Sequence, residues 1–269
     1  MAGGVSSVEV VKDGATGLEK LVLREAHGCS VQVFLYGGQV IFWENEYREQ
    51  LLFVSRKAYF KPPKAIRGGI QICFPQFGNH GVLEQHGFAR NRLWSVDETP
   101  PPFPATTSNC HIDLILKQSP EDLKIWPHSE VRVEGLETLY YIDNLQCGKR
   151  CTEQGDAVVF ESEAEKVYLS APPKIVIIDH DKKRTFELRK EGLPDVVVWN
   201  PWDRKAKTIL DFGEEEYKCM LCVGAANAEK PITLRPGEEW QGRQEISVVP
   251  SSYSSGQWDP EIIHRIQDI

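Results

Sequence analysis

No stretch of this chain of 269 residues holds the roughly 18–20 consecutive apolar residues that a helix needs to cross a bilayer, so no membrane span is expected. Residues 1–7 carry neither a basic segment nor an apolar core, and are not Arg-rich, so neither a secretory leader nor a transit peptide is expected. Basic charge is short as well. The net charge of −8 excludes a nucleic-acid scaffold, which needs clustered Lys and Arg to neutralise phosphates. A small anion remains open, since a few local arginines suffice for it. The cysteines number seven, an odd count scattered over a long chain, which fits free thiols in a reducing compartment better than a disulfide framework. Cytoplasm is therefore the expected location.

Metal-ligand spacing is also lacking. Cys219-Met220-Leu221-Cys222 and Cys147-Gly148-Lys149-Arg150-Cys151 are the only paired thiols to consider, and zinc would want them on tight turns. Cys219 and Cys222 instead sit in the apolar run Met220-Leu221-Cys222-Val223, which reads as a buried strand, where structural thiols belong. Neither metal nor cofactor is expected.

Helical periodicity is scarce too. Residues 214–218 suggest a turn and residues 260–269 a short terminal helix. What is present is strand grammar: short β-branched and aromatic runs separated by turn residues. Runs at residues 7–11, 21–23, 30–35, 39–43 and 51–54 follow one another, with Gly37-Gly38 as a turn. The same pattern returns at 174–178 and 184–188, a hairpin about the polar turn 179–183. It continues at 196–199, 231–234 and 245–249. Many short strands predict an all-β sandwich, not βαβ units. No repeat or low-complexity linker divides the chain, and all-β folds of this length commonly form one domain, so residues 1–269 are read as one.

Two stretches break the rhythm, residues 55–92, rich in Gly, Pro and basic residues, and the loop at 100–104. Residues 61–92 gather Lys61, Lys64, Arg67, Arg90 and Arg92, with Gln76 and His86, in an otherwise acidic protein. Glycines at 68, 69 and 87 let the backbone approach a ligand. Arg offers a planar fork that matches a phosphate or carboxylate. The plainer reading is a solvated charged loop, but the interleaved Gly, Pro, Phe and His favour an anion site. His86 alone reads as structural; beside Arg67 and Arg90 it stands equally as a catalytic group. A second constellation, Trp199-Asn200-Pro201-Trp202-Asp203, offers ring faces and an acceptor for a sugar. It fits equally well as core tryptophans with Asp203 capping a short helix.

Four blocks then carry a resemblance: Ile66-Arg67-Gly68-Gly69-Ile70, Cys73-Phe74-Pro75-Gln76-Phe77, His86-Gly87-Phe88-Ala89-Arg90-Asn91 and Trp199-Asn200-Pro201-Trp202-Asp203. Together they resemble the signature segments of hexose-6-phosphate mutarotases in the aldose 1-epimerase superfamily. They are most similar to the plant branch called glucose-6-phosphate 1-epimerase or apospory-associated protein C-like. The tail segments 231–240 and 249–253 are similar to that branch as well. The resemblance implies a galactose-mutarotase-like supersandwich, interconversion of the α and β anomers of glucose 6-phosphate, and a monomer whose partner is a small hexose 6-phosphate. It implies that Arg67 and Arg90 hold the phosphate or nearby hydroxyls, that Gln76 and Asp203 bind sugar hydroxyls, and that His86 lies beside the ring.

The implied reaction needs a base at the C1 hydroxyl and an acid at the ring oxygen. In the family these are a glutamate in a Cys-Val-Glu-Ala-Ala type segment and a histidine in a His-Thr-Tyr-Phe type segment. Here the first reads Cys222-Val223-Gly224-Ala225-Ala226, and Gly224 cannot act as a base. Glu229 would turn to the opposite face of a continuing strand. The second segment is absent, and His128 belongs to an upstream block. Blocks that relatives separate by on the order of forty residues, several strands' worth, abut at the Ser129–Glu130 junction. Losing an acid or base costs about 10²–10⁴-fold each. The alternative to the isomerase is therefore a catalytically impaired phosphosugar-binding paralogue or splice variant, or a product that does not fold stably.

Overall fold

The computed structural model describes residues 6–79, 81–98, 112–117, 119–125, 131–133, 162–179 and 182–250. The expectations for residues 260–269, for His128, for the Cys147–Cys151 pair and for the Ser129–Glu130 junction fall outside these residues. Strands dominate, as the spacing of β-branched runs requires. β1 (Ser7–Lys12), β2 (Glu19–Arg24), β3 (Ser30–Phe34) and β4 (Gln39–Glu44) form an antiparallel meander in chain order. β5 (Ser95–Val96), β6 (Leu114–Leu116) and β7 (Val131–Val133) pair likewise. In the second half, β8 (Ala164–Tyr168) and β12 (Cys222–Ala226) flank the fully buried β11 (Asp195–Asn200), while β9 (Lys174–Asp179) and β13 (Arg243–Pro250) flank β10 (Arg184–Glu191). Helices among the described residues are short: α1 (Pro120–Ile125) and α2 (Trp202–Ala206).

The hairpin expected about residues 179–183 is present, with Asp179 opposite Arg184. So is the turn between β3 and β4, where Gly37 and Gly38 adopt φ of 85° and 57°. Two expected strands are not strands. Residues 51–54 make only an isolated bridge, Val54 to Gly68, because the 66–70 segment takes their backbone bonds: Ser55 N donates to Arg67 O and Gly69 N to Phe53 O. Residues 231–234 run as exposed coil. Proline at 231 and 236 removes the donors a ladder would need. The turn expected at 214–218 is a 3-10 helix at Glu216–Cys219, so Cys219 is exposed at its end and not in the buried strand expected for it, which begins only at Cys222.

The main core packs Leu21, Leu23, Val33, Val40, Phe88, Trp94 and Leu114 between the first sheets. A second cluster, Leu188, Leu193 and Ala225, lies between the later ones. Polar ties join the two halves of the chain. Glu216 accepts from Ser55 Oγ at 2.7 Å and from Arg56 N at 2.9 Å, and its carboxyl is held below the usual range: burial alone would raise it, but these bonds outweigh that.

Candidate active site

The basic stretch is fixed in place by its glycines. Gly68 and Gly69 have φ of 116° and 62°, and a Cβ on either would run into the backbone of Phe53 and Val54 or of Val40. Their bareness lets residues 66–70 press against β4. Gln39, fully buried on β4, brackets Arg67 by donating from Nε2 to the carbonyls of Ile66 and Gly68. Arg90 sits in a 3-10 turn at Ala89–Asn91, anchored by Ala89 N to Phe74 O and by the Trp94 indole to Ala89 O. These constraints point both guanidinium groups into one cleft of about 460 Å³, a size suited to a small ligand.

The cleft is lined by Tyr59, Lys64, Arg67, Gln71, Arg90 and Asp211 among others. Arg67 donates from Nε and Nη2 to the Asp211 carboxylate at 3.2–3.3 Å. Arg90 donates from Nη1 to Gln71 Oε1 at 3.0 Å and from Nη2 to Gln85 O at 2.9 Å. Gln71 in turn donates to Ile66 O, so it couples the backbone before Arg67 to the head of Arg90. The two arginines are thus brought together as expected. Three cleft residues escaped sequence reading. Asp211 lies 144 residues from Arg67 and bears no motif. Tyr59 and Gln71 sit in or beside the basic stretch, and adjacency to it was the available signal.

The other expected residues lie elsewhere. Gln76 is buried, and its amide is committed to its own loop: Nε2 donates to Gly78 O and Leu83 O, and Oε1 accepts from Leu83 N. It is not among the cleft-lining residues. Neither is Asp203, which occupies the first turn of α2 behind the N-cap Pro201, so it does not cap that helix either. Trp199 and Asn200 follow the core reading. Trp199 is buried against Phe212 with ring centroids 6.4 Å apart, and Asn200 Nδ2 bonds Tyr217 O and Met220 O. Trp202 is half-buried against Tyr217 at 5.4 Å.

His86 is buried with φ of 68°, and its Nδ1 accepts from Gly78 N at 3.2 Å. Burial first, then the charges of Arg90 and Arg67, pushes its pKa down to about 3. It is a neutral imidazole at physiological pH, which a general acid poised near neutrality is not.

Gly224 is buried in β12 opposite Val197. Its neighbour Cys222 is a thiol raised by burial and by Cys73, and eased down by the Arg67 charge. Burial likewise pushes Cys73 up to about 11, against the nearby Arg90 charge. Val223 and Ala225 pack on the opposite side with Leu188 and Leu193. Alternation therefore puts position 224 on the Cys222 side, away from Val223 and Ala225, with no side chain to offer. Glu229 lies beyond the strand, its N–H bonded to Asp195 Oδ2. Among the described residues no group of three His, Cys, Asp or Glu side chains is arranged to hold a metal, and no helix is long and apolar enough to cross a membrane.

Comparison with known proteins adds three findings. The family described as aldose 1-epimerase matches residues 19–129 and 121–247, two pieces that overlap at residues 121–129, the first ending at Ser129. A protein of Cenchrus ciliaris named "Putative glucose-6-phosphate 1-epimerase" is 55% identical, covering 95% of this chain and 92% of its own. That match spans 305 positions against a chain of 269 residues, so at least 36 of its positions have no residue here. An Escherichia coli protein of the same name is 25% identical over 73% of this chain and 79% of its own. Among solved structures, the "putative mutarotase (YeaD)" of Salmonella typhimurium shares the fold at a TM-score of 0.72 and 22% identity, covering 91% of this chain and 94% of its own. HI1317 does so at 0.67 and 21%, covering 90% of this chain and 100% of its own.

Proposed function

The chain belongs to the aldose 1-epimerase family, a family of isomerases, and from that premise we propose that it interconverts the α and β anomers of a hexose 6-phosphate. The observation that carries the reading is the convergence of Arg67 and Arg90 on one cleft in an acidic protein. A neutral sugar does not call for two guanidinium groups, whereas a sugar phosphate does. The name of the Cenchrus relative supports glucose 6-phosphate as the substrate. Residues 1–269 are read as one domain, supported by the Ser55–Glu216 and Arg67–Asp211 ties across the chain. The free thiols Cys29, Cys73, Cys219 and Cys222 support a reducing compartment such as the cytoplasm.

In this reading the substrate ring lies in the cleft. Its C1 hydroxyl loses a proton to a base while the ring oxygen gains one, the C1–O5 bond breaks to give the open-chain aldehyde, and rotation about C1–C2 followed by reclosure returns both protons. Gln76 and His86 act in support, holding the loop that carries Arg90 in register.

A second reading, a phosphosugar-binding protein with impaired turnover, is favoured by one observation: position 224 on β12 is a glycine and carries no carboxylate. NMR exchange between the anomers of glucose 6-phosphate separates the two. The epimerase reading expects exchange faster than in buffer, rising about 10²-fold or more in Gly224→Glu as a base is added. Buffer-rate exchange in both proteins with saturable binding leaves the binding reading; the absence of binding overturns both.

A further inference from the structure

A strand at the border of a sheet presents unpaired N–H and C=O groups, and this chain guards several such borders. β4 is met by the bridges Val40 to Ile70 and Glu44 to Gln50. β12 is closed off by the buried Gln244, whose Oε1 accepts from Ala225 N. β1 carries Glu9, an exposed charge, in mid-strand. β9 has no such guard. It borders the sheet of order β13-β10-β9 and reads Lys174-Ile175-Val176-Ile177-Ile178-Asp179, β-branched throughout with charges only at its ends.

The register tells which backbone groups are open. Lys190 N donates to Pro173 O, and these two residues stand one step beyond the Lys174–Arg189 pair, so they form a hydrogen-bonded pair. Alternation along an antiparallel ladder then turns the N–H and C=O of Ile175, Ile177 and Asp179 toward β10, and those of Lys174, Val176 and Ile178 outward. Among the described residues no backbone bond reaches these outward groups. The side chains are uncovered as well. Val176 and Ile178 are 40% and 42% exposed on one face, and Ile175 and Ile177 are only half-buried on the other.

We propose that β9 pairs with β9 of a second copy of this chain, antiparallel about a two-fold axis at Val176, so that each sheet continues into its counterpart. This register sets Val176 opposite Val176 and Lys174 opposite Ile178, so every outward donor meets an outward acceptor. On the other face Ile175 meets Ile177. Charge selects the orientation: antiparallel pairing brings the Lys174 end of one strand to the Asp179 end of the other, whereas a parallel pair sets Lys beside Lys and Asp beside Asp. Both end charges have partners within the chain, Glu187 and Arg184, so they steer the pairing more than they strengthen it. The two-fold uses up both edges, so assembly closes at a dimer. Such a dimer departs from the monomer that the resemblance implies. It stands apart from the hexose 6-phosphate reading, because no β9 residue lines the cleft.

The test is sedimentation equilibrium of the full chain from about 1 to about 500 μM, with Val176→Lys and Val10→Lys beside it. A contact this narrow belongs to the weak class, and a dimer with Kd on the order of 10 μM is expected. Val176→Lys sets like charges opposite each other at the axis and weakens the dimer about tenfold or more; Val10→Lys, on the β1 border, changes it by less than about twofold. Cysteine cross-linking reads the register. Mild oxidation links Val176→Cys into a dimer beyond the wild-type background, since paired residues there stand about 5.5 Å apart. It does not link Ile178→Cys, whose copies stand roughly 14 Å apart. The cysteine pair decides alone where Val176→Lys does not fold. A wild-type chain that stays monomeric at about 500 μM overturns the proposal. A dimer untouched by Val176→Lys, or cross-linked through Ile178→Cys and not through Val176→Cys, overturns it too.

Discussion

Replacing His86 by Asn changes how stability responds to acid, and the size of the change follows from the burial of the imidazole. The ring is 6% exposed and lies near two guanidinium charges, so its folded pKa falls from 6.5 to about 3. In the unfolded chain the ring takes a proton as pH drops through about 6.5; in the folded protein it stays neutral until about 3. The unfolded state therefore binds more protons throughout that window, and unfolding free energy falls as pH falls. Between about pH 7.5 and about pH 5 the loss works out at about 2 kcal/mol, at a limiting slope of about 1.4 kcal/mol per pH unit. Asparagine suits the site: it tolerates a φ of 68°, and its side-chain oxygen can accept from Gly78 N as Nδ1 does. The depressed carboxylates Asp13, Asp122, Glu187 and Glu216 also lose stabilisation in acid, but only as pH falls through their ordinary values of 3.8–4.5 and below, and they are common to both proteins. Urea unfolding followed by tryptophan fluorescence at several pH values gives the comparison. Expected is an acid limb shallower in His86→Asn by about 2 kcal/mol over that range. Parallel limbs would refute the argument that His86 is held neutral by its surroundings.

Two further outcomes follow from the scaffold of the cleft. Gly69→Ala places a Cβ against the Val40 carbonyl at a left-handed φ and should destabilise by about 2–4 kcal/mol, whereas Gly14→Ala, with open space around it, should change stability by under about 0.5 kcal/mol; urea midpoints check both. A double-mutant cycle of Arg67→Met and Asp211→Ala should show a coupling of about 1 kcal/mol, discounted from a buried pair because the Arg67 side chain is 32% exposed. Coupling near zero would show that the tie does not hold Arg67.

The sequence exposes the elements whose signal is local and hides those whose signal is distant. Alternation and turn residues place β1 to β4 and the β9–β10 hairpin within three residues, because the same side chains that mark a strand also pack it. Residues 51–54 look equally strand-like, yet their backbone partners are the glycines at 68 and 69, which carry no apolar signature. At the site, Arg67 and Arg90 are legible as a basic cluster among glycines. Asp211 is not, since nothing in Ile209-Leu210-Asp211-Phe212 marks its carboxylate as the partner of a guanidinium 144 residues away. Gln76 and Asp203 show the opposite failure. Side-chain chemistry suited to a sugar was visible, but its direction was not, and local backbone groups claim Gln76 outright.

In the proposed reading, ligand recognition and proton transfer draw on different parts of the chain. The cleft is lined by residues within 59–91 and 209–211, two blocks on either side of the Ser129–Glu130 junction. Each block is held by its own bonds: Gln39 and Gln71 on the Ile66 carbonyl, Trp94 on Ala89, Asn200 on Tyr217 and Met220. The Arg67–Asp211 pair then joins one block to the other. None of these bonds draws on residues between 98 and 162. The implied proton-transfer groups, by contrast, belong to a strand position that is now glycine and to a segment the chain does not contain. A binding cleft assembled from short-range bonds within two blocks tolerates a shortened connection between them. The shortening bears only on the implied acid segment; the implied base position, Gly224, lies on β12, which is in place without a carboxylate.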